Sequence, residues 1–208
     1  IAGVSRHIFL TGCRGDLAGT LIASEGGGGV RIGSTGAPEG TEVRVRELFF
    51  NTPARLKFMK SPASELQQVL AVVTRQALIL PAIGFAVTRG RDTLLDVPPR
   101  QEWADRVGTL LGTGIRENLL PLDTTRHGVR VTGFAVRPEV SRKDRRHQHF
   151  FVNGRPVSSR SLSFAVQEAY RGVIMVQRFP IVVADITVPA GEVDVNVHPT
   201  KEEVRFRQ

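Results

Sequence analysis

The segment that most constrains the fold is residues 40–60, which reads GTEVRVRELFFNTPARLKFMK. Its first part alternates charged residues with Val43 and Val45, which is the period of a β-strand with one buried face. An apolar LFF cluster follows, and Pro53 can then start a helix because the N–H group that proline lacks would have no helical partner there. Asn51 and Thr52 are placed to cap that helix. The segment therefore predicts a strand that leads through a buried turn into a short helix.

Strand and helix signals are interleaved along the whole sequence, and the clearest boundary between them is at Pro98 and Pro99. Upstream, short apolar runs separated by glycine predict antiparallel strands, and a helical pattern follows that a proline ends. Downstream, a helix that ends at Gly112 precedes several strands and one further helix. We therefore expect an α+β protein of two domains, residues 1–97 and 98–208.

The second of these domains carries the strongest local signals. Asn153 and Gly154 form the two-residue sequence most typical of a tight β-hairpin, because both residues tolerate the positive φ angles that such a turn needs. Residues 148–152 form the predicted strand before this turn, and an earlier strand, residues 129–136, is expected to bulge at Gly133. The helix after this turn is expected to be capped by Ser158 or Ser161.

A second informative segment, residues 194–206, reads DVNVHPTKEEVRF. Its valines alternate with polar residues, which predicts a strand, and Lys201 follows on the loop after Pro199. Lys201 is one of only four lysines in a chain that otherwise uses arginine. A lysine on such a loop is usually an ordinary solvated side chain. An ammonium group that can move is also what the terminal phosphate of a nucleotide requires.

Both segments resemble the N-terminal ATPase region of the MutL family, in which a Gly-Thr opens a strand that runs into LF-N-PAR-KF and a lysine follows N-V-H-P. The resemblance covers nearly the whole chain and is densest in the two quoted segments. It implies that residues 1–97 are the C-terminal part of a GHKL-type ATPase sandwich. It implies that residues 98–208 form an α/β domain similar to domain 2 of ribosomal protein S5.

The same resemblance implies a nucleotide site. Gly40 and Thr41 would contact the nucleotide, and Lys201 would bind its terminal phosphate and act in catalysis. The cofactors would be ATP and Mg²⁺ in the complete protein. This sequence lacks three motifs that the family uses to build its nucleotide pocket. They are a helix with an acidic residue that acts as general base and an asparagine, an Asp-x-Gly-x-Gly segment, and a Gly-Phe-Arg-Gly-Glu-Ala-Leu segment. We therefore expect the chain to be a fragment of a longer protein.

Charge and arginine content point to a nucleic-acid partner. The chain has 28 basic and 20 acidic residues, a net charge of +8, and guanidinium groups bind phosphates in pairs. Arg155 follows the predicted hairpin turn, where the resemblance implies DNA binding. The basic residues of a nearby loop and of the following helix would add contacts to the DNA backbone: Arg142, Lys143, Arg145, Arg146 and Arg160. No base-reading motif is visible, so we expect binding without sequence specificity.

Other features bound the class of protein. Cys13 is the sole cysteine, which excludes a disulfide framework and fits a reducing cytoplasm. The resemblance implies that this is a bacterial cytoplasm, with the protein associated with the nucleoid. His147 and His149 lie two residues apart without a third ligand nearby in sequence, so we expect no metal site. The resemblance implies a homodimer through the N-terminal region when nucleotide is bound, and partners such as the mismatch-recognition protein MutS.

Two alternatives remain open at this point. The first is an ATPase-subunit fragment of a type II topoisomerase, although those enzymes present Gln-Thr-Lys where this chain presents a lysine after His198, Pro199 and Thr200. The second is a basic nucleic-acid-binding module without enzymatic activity. Nucleotide binding, measured with and without an upstream segment, distinguishes the second alternative from an ATPase.

We predict that a protein of this sequence alone neither binds ATP tightly nor hydrolyses it, because the residues that the family uses for Mg²⁺, adenine and the attacking water are not in it. Equilibrium binding of ATP and a steady-state hydrolysis assay with Mg²⁺ check this expectation. Robust turnover that depends on Mg²⁺ would contradict it.

Overall fold

The computed structural model describes residues 1–189 and the backbone of residues 193–194 and 205–206. The chain divides into two compact units, Ile1–Glu65 and Leu66–Gln208.

The first unit is built on a four-stranded antiparallel sheet with the strand order β3-β2-β1-β4. Its strands are β1 (Arg6–Gly12), β2 (Ala18–Glu25), β3 (Arg31–Gly36) and β4 (Gly40–Arg46). The short helix α1 (Pro53–Lys57) follows β4 with a proline at its start. The predicted strand and helix of residues 40–60 are thus confirmed.

One face of this sheet is apolar and open. The strand register aligns Ile32, Ile22, Phe9 and Val43 in a row that crosses all four strands. Ile32 is 72% exposed and Val43 is 53% exposed. The expectation that Val43 and Val45 face a core is wrong, since Val45 is also 41% exposed. The alternation in sequence correctly marks one apolar face, but the valines on that face are exposed.

Asn51 stabilises the first unit in a way that its sequence position does not suggest. Its side-chain amide donates hydrogen bonds to the carbonyl oxygens of Gly3 and Gly26, both at 3.1 Å. Helix α1 is preceded by Thr52 and receives no side-chain cap. Thr52 occupies the predicted cap position, but the expected side-chain cap from Asn51 or Thr52 does not form. Asn51 instead joins the N-terminal turn to the turn after β2.

The second unit centres on a five-stranded sheet with the order β10-β9-β11-β8-β7. Its strands are β7 (Leu119–Arg126), β8 (Val129–Val136), β9 (Gln148–Val152), β10 (Arg155–Val157) and β11 (Val182–Thr187). β9 and β11 are parallel, and the other pairs are antiparallel. A hairpin of β5 (Phe85–Arg89) and β6 (Asp92–Val97) and a two-stranded pair of β12 (Val193–Asp194) and β13 (Arg205–Phe206) complete the strands.

Helices cover both faces of the five-stranded sheet. They are α2 (Pro62–Ile79), α3 (Trp103–Leu111), α4 (Thr113–Arg116) and α5 (Arg160–Ala169). On one face, Phe151 and Val183 pack with Leu78 of α2 and Val107 of α3. On the other face, the sheet's apolar residues, Phe150 among them, pack against α5. Burial of each such side chain contributes about 1.5–3 kcal/mol, so both faces stabilise this unit.

Gly133 is required by a close approach between strands. A Cβ atom at this position would lie 2.1 Å from the carbonyl oxygen of Val183 on β11, and the φ angle of Gly133 is +137°. The pairing of β8 with both neighbours continues through Gly133 without a shift in register. The predicted bulge is therefore wrong, and the glycine allows β11 to lie against β8.

The largest fully buried side chain of the second unit is an arginine. Arg106 of α3 has no exposed surface, and its guanidinium makes five hydrogen-bond contacts of 2.5–3.2 Å, three of which share the two N–H groups of Nη2. Its acceptors are four backbone carbonyl oxygens and one side-chain amide oxygen, those of Ala77, Pro81, Ile83, Pro98 and Gln101. Burial lowers the pKa of Arg106.

Arg106 explains why the compact units do not divide at Pro98 and Pro99. Its hydrogen bonds connect α3 to the end of α2 and to the segment before those prolines, and the indole N–H of Trp103 donates to the carbonyl oxygen of Leu78 at 2.8 Å. Residues on both sides of the expected boundary thus share one polar cluster. The division lies inside α2 instead. The assignment of residues 1–97 to a GHKL-type ATPase domain and of residues 98–208 to an S5-like domain stays a prediction.

We predict that Arg106→Met lowers the free energy of unfolding by about 3 kcal/mol or more, because buried carbonyl groups lose their donor. Urea denaturation of both proteins measures the difference. Arg91→Met is the control, since Arg91 is exposed on the turn between β5 and β6. Equal stability of Arg106→Met and the wild type would contradict the structural role of this side chain.

Candidate nucleic-acid interface

Arg155 is presented from a turn that is fixed to the sheet. Asn153 and Gly154 have φ angles of +48° and +73°, as the predicted hairpin requires. The Asn153 side chain donates to the carbonyl oxygen of Val188 at 3.1 Å and accepts from its N–H group at 3.0 Å. The N–H group of Gly154 donates to Asp185 Oδ1 at 3.0 Å. Arg155 begins β10 and is exposed, so its guanidinium projects into solvent from a rigid base.

The basic loop between β8 and β9 is also attached to its surroundings. Arg142 and Phe179 exchange two backbone hydrogen bonds, at 2.9 and 2.8 Å. The guanidinium of Arg178 donates to Ser141 Oγ at 3.1 Å. Lys143 is exposed. The basic loop predicted from the sequence is therefore an ordered platform for basic side chains.

One acidic residue reduces the charge of this loop. Arg146 makes an ion pair with Asp144, with an N–O distance of 2.6 Å, and its backbone N–H also donates to Asp144 at 3.0 Å. These contacts lower the pKa of Asp144 to about 2. Asp144 therefore stays ionised near neutral pH and offsets the charge of Arg146. The count of basic residues in this loop did not take this ion pair into account.

Arg145 and Arg160 line a common cavity of about 270 Å³. The guanidinium of Arg145 lies 5.0 Å from the centre of the Phe179 ring and 3.4 Å from Gln167 Oε1. Arg160 is the first residue of α5. Arg75 of α2 lines the same cavity. Sequence analysis did not select it, because a single arginine on a helix usually faces solvent.

The cap of α5 lies at a serine that the sequence analysis did not select. Ser159 Oγ accepts a hydrogen bond from the N–H group of Leu162 at 3.2 Å. The expected cap at Ser158 or Ser161 is therefore wrong. Ser159 caps the helix, which begins at Arg160. This start places Arg160 and Ser163 on the cavity.

Burial lowers the pKa of both histidines of this region. Burial, followed by the charges of His147 and Arg75, lowers the pKa of His149 to about 4. Burial and the nearby Arg142 guanidinium lower the pKa of His147. Among the described residues, no three His, Cys, Asp or Glu side chains form a group that could hold a metal ion.

Gly40 and Thr41 lie in the other unit, at the start of β4. The φ angle of Gly40 is +120°, and its carbonyl oxygen accepts from Thr11 Oγ1 at 3.3 Å. The hydroxyl groups of Thr41 and Thr11 are 3.0 Å apart. Lys201 lies outside the described residues.

The described surroundings of Gly40 and Thr41 do not form a nucleotide site by themselves. The cavity beside them has a volume of about 120 Å³ and is lined by two carboxylate residues, Glu39 and Glu42. Pockets for drug-sized ligands measure about 300–1,000 Å³, and the two carboxylates here are already paired with Arg14 and Arg44.

Comparison with known proteins assigns the chain to a family. The family model for the C-terminal domain of DNA mismatch repair proteins matches residues 107–208. The DNA mismatch repair protein MutL of Geobacter sulfurreducens is 47% identical to this chain over 208 residues, which is all of this chain and 34% of that protein. The chain belongs to the MutL family. It spans about one third of the length of the curated MutL relatives that it matches.

Solved structures agree with this assignment. The N-terminal domain of a DNA repair protein superposes on 99% of this chain and 67% of that one with a TM-score of 0.84, at 24% identity. The Aquifex aeolicus MutL ATPase domain complexed with ADP superposes on 91% of this chain and 70% of that one with a TM-score of 0.71, at 26% identity. The predicted α+β, GHKL-like fold class is confirmed. No helix in the described part of the chain is long and apolar enough to cross a membrane.

We predict that His149 makes the stability of the second unit depend on pH. Its pKa is about 4 in the folded chain and about 6.5 in an unfolded one. Between these values only the unfolded state binds the proton, so stability decreases as the pH falls from about 6.5 to about 4, by on the order of 3 kcal/mol. Urea denaturation across this range should show a smaller decrease for His149→Gln. Parallel profiles of the two proteins would contradict the prediction.

Proposed function

We propose that this MutL-family chain is part of an ATP-regulated DNA mismatch repair protein and that its second unit binds duplex DNA through the phosphate backbone. The observation that carries the DNA-binding proposal is Arg155 on the β9–β10 turn, which three hydrogen bonds hold to the end of β11. A side chain on a rigid turn loses little conformational freedom when it binds a partner. The basic loop in the same unit supplies further cationic groups.

The chemistry of these groups favours contact with phosphates over contact with bases. Arg142, Lys143, Arg145 and Arg160 make no ion pair with a carboxylate in the described structure, whereas Arg146 is paired with Asp144. Guanidinium and ammonium groups bind phosphate oxygens and release counterions from DNA, whatever its sequence. Affinity should therefore decrease with salt and depend little on sequence or on the presence of a mismatch.

Nucleotide regulation is the second part of the proposal. The complete protein would bind ATP with Mg²⁺, Gly40 and Thr41 would contact the nucleotide, and Lys201 would offset the charge of its terminal phosphate. Support comes from family membership and from the similarity to a MutL ATPase domain that was complexed with ADP. Bound nucleotide would bring the N-terminal regions of two copies together as a homodimer.

Partners and location follow from the same proposal. The protein would act in the bacterial cytoplasm at the nucleoid, with mismatch-recognition proteins such as MutS. The relatives favour MutL over the two alternatives, a type II topoisomerase fragment and a basic module without enzymatic activity.

We predict that Arg155→Glu weakens duplex DNA binding and lowers the slope of log affinity against log salt by about one phosphate contact, because a favourable contact becomes a repulsion. Stability should change little, since this side chain is exposed. Salt titrations of the wild type and the variant measure both quantities. Arg126→Glu is the matched control: Arg126 is exposed at the end of β7, at the opposite edge of the sheet. Overlapping curves for wild type and Arg155→Glu would remove Arg155 from the interface.

We predict that Lys201→Ala, made in the complete protein, reduces ATP hydrolysis much more than it reduces folding stability. A loop lysine contributes little to the fold but offsets charge that develops on the terminal phosphate. Turnover at saturating ATP and thermal unfolding measure the two effects. Unchanged turnover would exclude Lys201 from the mechanism.

A further inference from the structure

The loop between α5 and β11 exposes a group of apolar side chains to solvent. Met175 is 82% exposed, Val176 is 92% exposed and Val173 is 60% exposed. We call these three residues the apolar tip. They lie within residues 171–178, a segment that contains two arginines and no acidic residue. Exposed apolar patches with a polar rim mark interaction sites.

Hydrogen bonds fix this loop at both ends. At its start, the hydroxyl group of Tyr170 donates to the carbonyl oxygen of Val136 at 2.6 Å. At its end, the guanidinium of Arg178 donates to Ser141 Oγ at 3.1 Å, and the backbone N–H of Arg178 donates to the carbonyl oxygen of Met175 at 3.1 Å. The apolar tip is therefore presented by an anchored turn, which loses little conformational freedom when it binds a partner.

The backbone of the turn is held in an uncommon conformation. The φ angle of Gln177 is +63°, in the left-handed region that residues other than glycine, asparagine and aspartate adopt rarely. Such conformations persist where the surroundings fix them, and they concentrate at binding sites. The turn that exposes Met175 and Val176 is thus maintained although its backbone is unfavourable.

The loop is continuous with the basic platform described above. Phe179 exchanges two backbone hydrogen bonds with Arg142. The two segments that meet here, residues 137–146 and 168–178, contain seven basic and three acidic residues. Two of the acidic residues already form ion pairs with arginines of the same segments. Cations are therefore in excess beside the apolar tip.

Duplex DNA has the surface that fits this combination. Its phosphates supply the negative charge, and the C–H groups of the deoxyribose sugars form apolar walls in the minor groove. The major groove admits a helix or a two-stranded ribbon, whereas the minor groove, about 6 Å wide, suits a single turn. Methionine and other apolar side chains are common contacts of proteins that bind there.

We propose that the apolar tip enters the minor groove of duplex DNA and packs against the sugars, while the neighbouring cations bind the phosphates on either side. This proposal rests on the proposed DNA binding and adds to it a contact that involves no charge. Sugars are the same at every base pair, so the contact agrees with binding that depends little on sequence.

The two methionines of the chain allow a direct test by NMR. In a chain labelled with ¹³C at the methionine methyl groups, Met175 reports the apolar tip and Met59 reports the first unit. Duplex DNA should shift the Met175 signal and give nuclear Overhauser contacts from this methyl group to deoxyribose protons. The Met59 signal should not change. Met175→Leu removes one signal and so assigns both.

Met175→Gln tests the contribution of the contact to affinity. Binding of duplex DNA should weaken by about threefold or more, because an apolar contact is lost. The slope of log affinity against log salt should stay the same, since no phosphate contact is removed. Leu17→Gln is the matched control, because Leu17 is 95% exposed and lies in the first unit, and its affinity should equal that of the wild type. Urea denaturation should show equal stability for Met175→Gln and the wild type.

The outcomes separate this contact from the proposed function. Duplex binding that leaves the Met175 signal in place, or that is equally tight in the wild type and Met175→Gln, would overturn the minor-groove contact and keep the proposed DNA binding. A wild-type chain that binds no duplex would overturn both. Self-association of the wild type without DNA that Met175→Gln abolishes, measured by sedimentation, would identify a second copy as the occupant and overturn the DNA contact.

Discussion

The buried guanidinium of Arg106 organises the second unit, because it supplies donors to carbonyl groups from three segments that meet beside the sheet. Ala77 lies in the last turn of α2, where helix carbonyls lack partners and the helix dipole favours a cation. Pro81 and Pro98 contribute carbonyl groups from irregular backbone. The Arg106 guanidinium reaches all four carbonyls at once: Nη1 donates to Ala77, and the two N–H groups of Nη2 are shared among the other three. Its charge strengthens each of these contacts.

This arrangement has consequences for the rest of the unit. It fixes the end of α2 against α3, and the apolar side chains of both helices then cover one face of the sheet. With α5 on the other face, the central strands β9 and β11 are held on both sides. The β9–β10 turn and the platform at Arg142 both depend on this sheet, through bonds to residues that flank β11. A rigid interior thus supports basic groups at its edge, which is how loops generally acquire binding functions.

Several elements could be predicted from sequence because their signals are local. The Asn153–Gly154 turn, the strands β8 and β9, and the end of α3 at Gly112 each depend on a few adjacent residues. β7 was missed because Leu119–Arg126 lacks regular alternation and contains Pro121, although a proline is compatible with an edge strand. The exposed side chains of Val43 and Val45 could not be predicted, since a strand pattern marks an apolar face but not what covers it.

The candidate site shows the same limit. Arg155 could be selected from its turn, and the basic loop from its composition. Arg75 could not, because only the packing of α2 beside β9 brings it to the cavity of Arg145. The ion pair of Asp144 with Arg146 was within reach of the sequence, since the two residues are two positions apart, but a count of basic residues alone does not reveal it.

Amide hydrogen exchange of the chain with and without duplex DNA tests the central claim most directly, which is that the second unit binds the DNA backbone at the β9–β10 edge of its sheet. The account predicts slower exchange in the β9–β10 turn and in residues 142–146, and unchanged exchange in the four-stranded sheet of the first unit. Protection confined to the first unit, or to the opposite edge at β7, would contradict it.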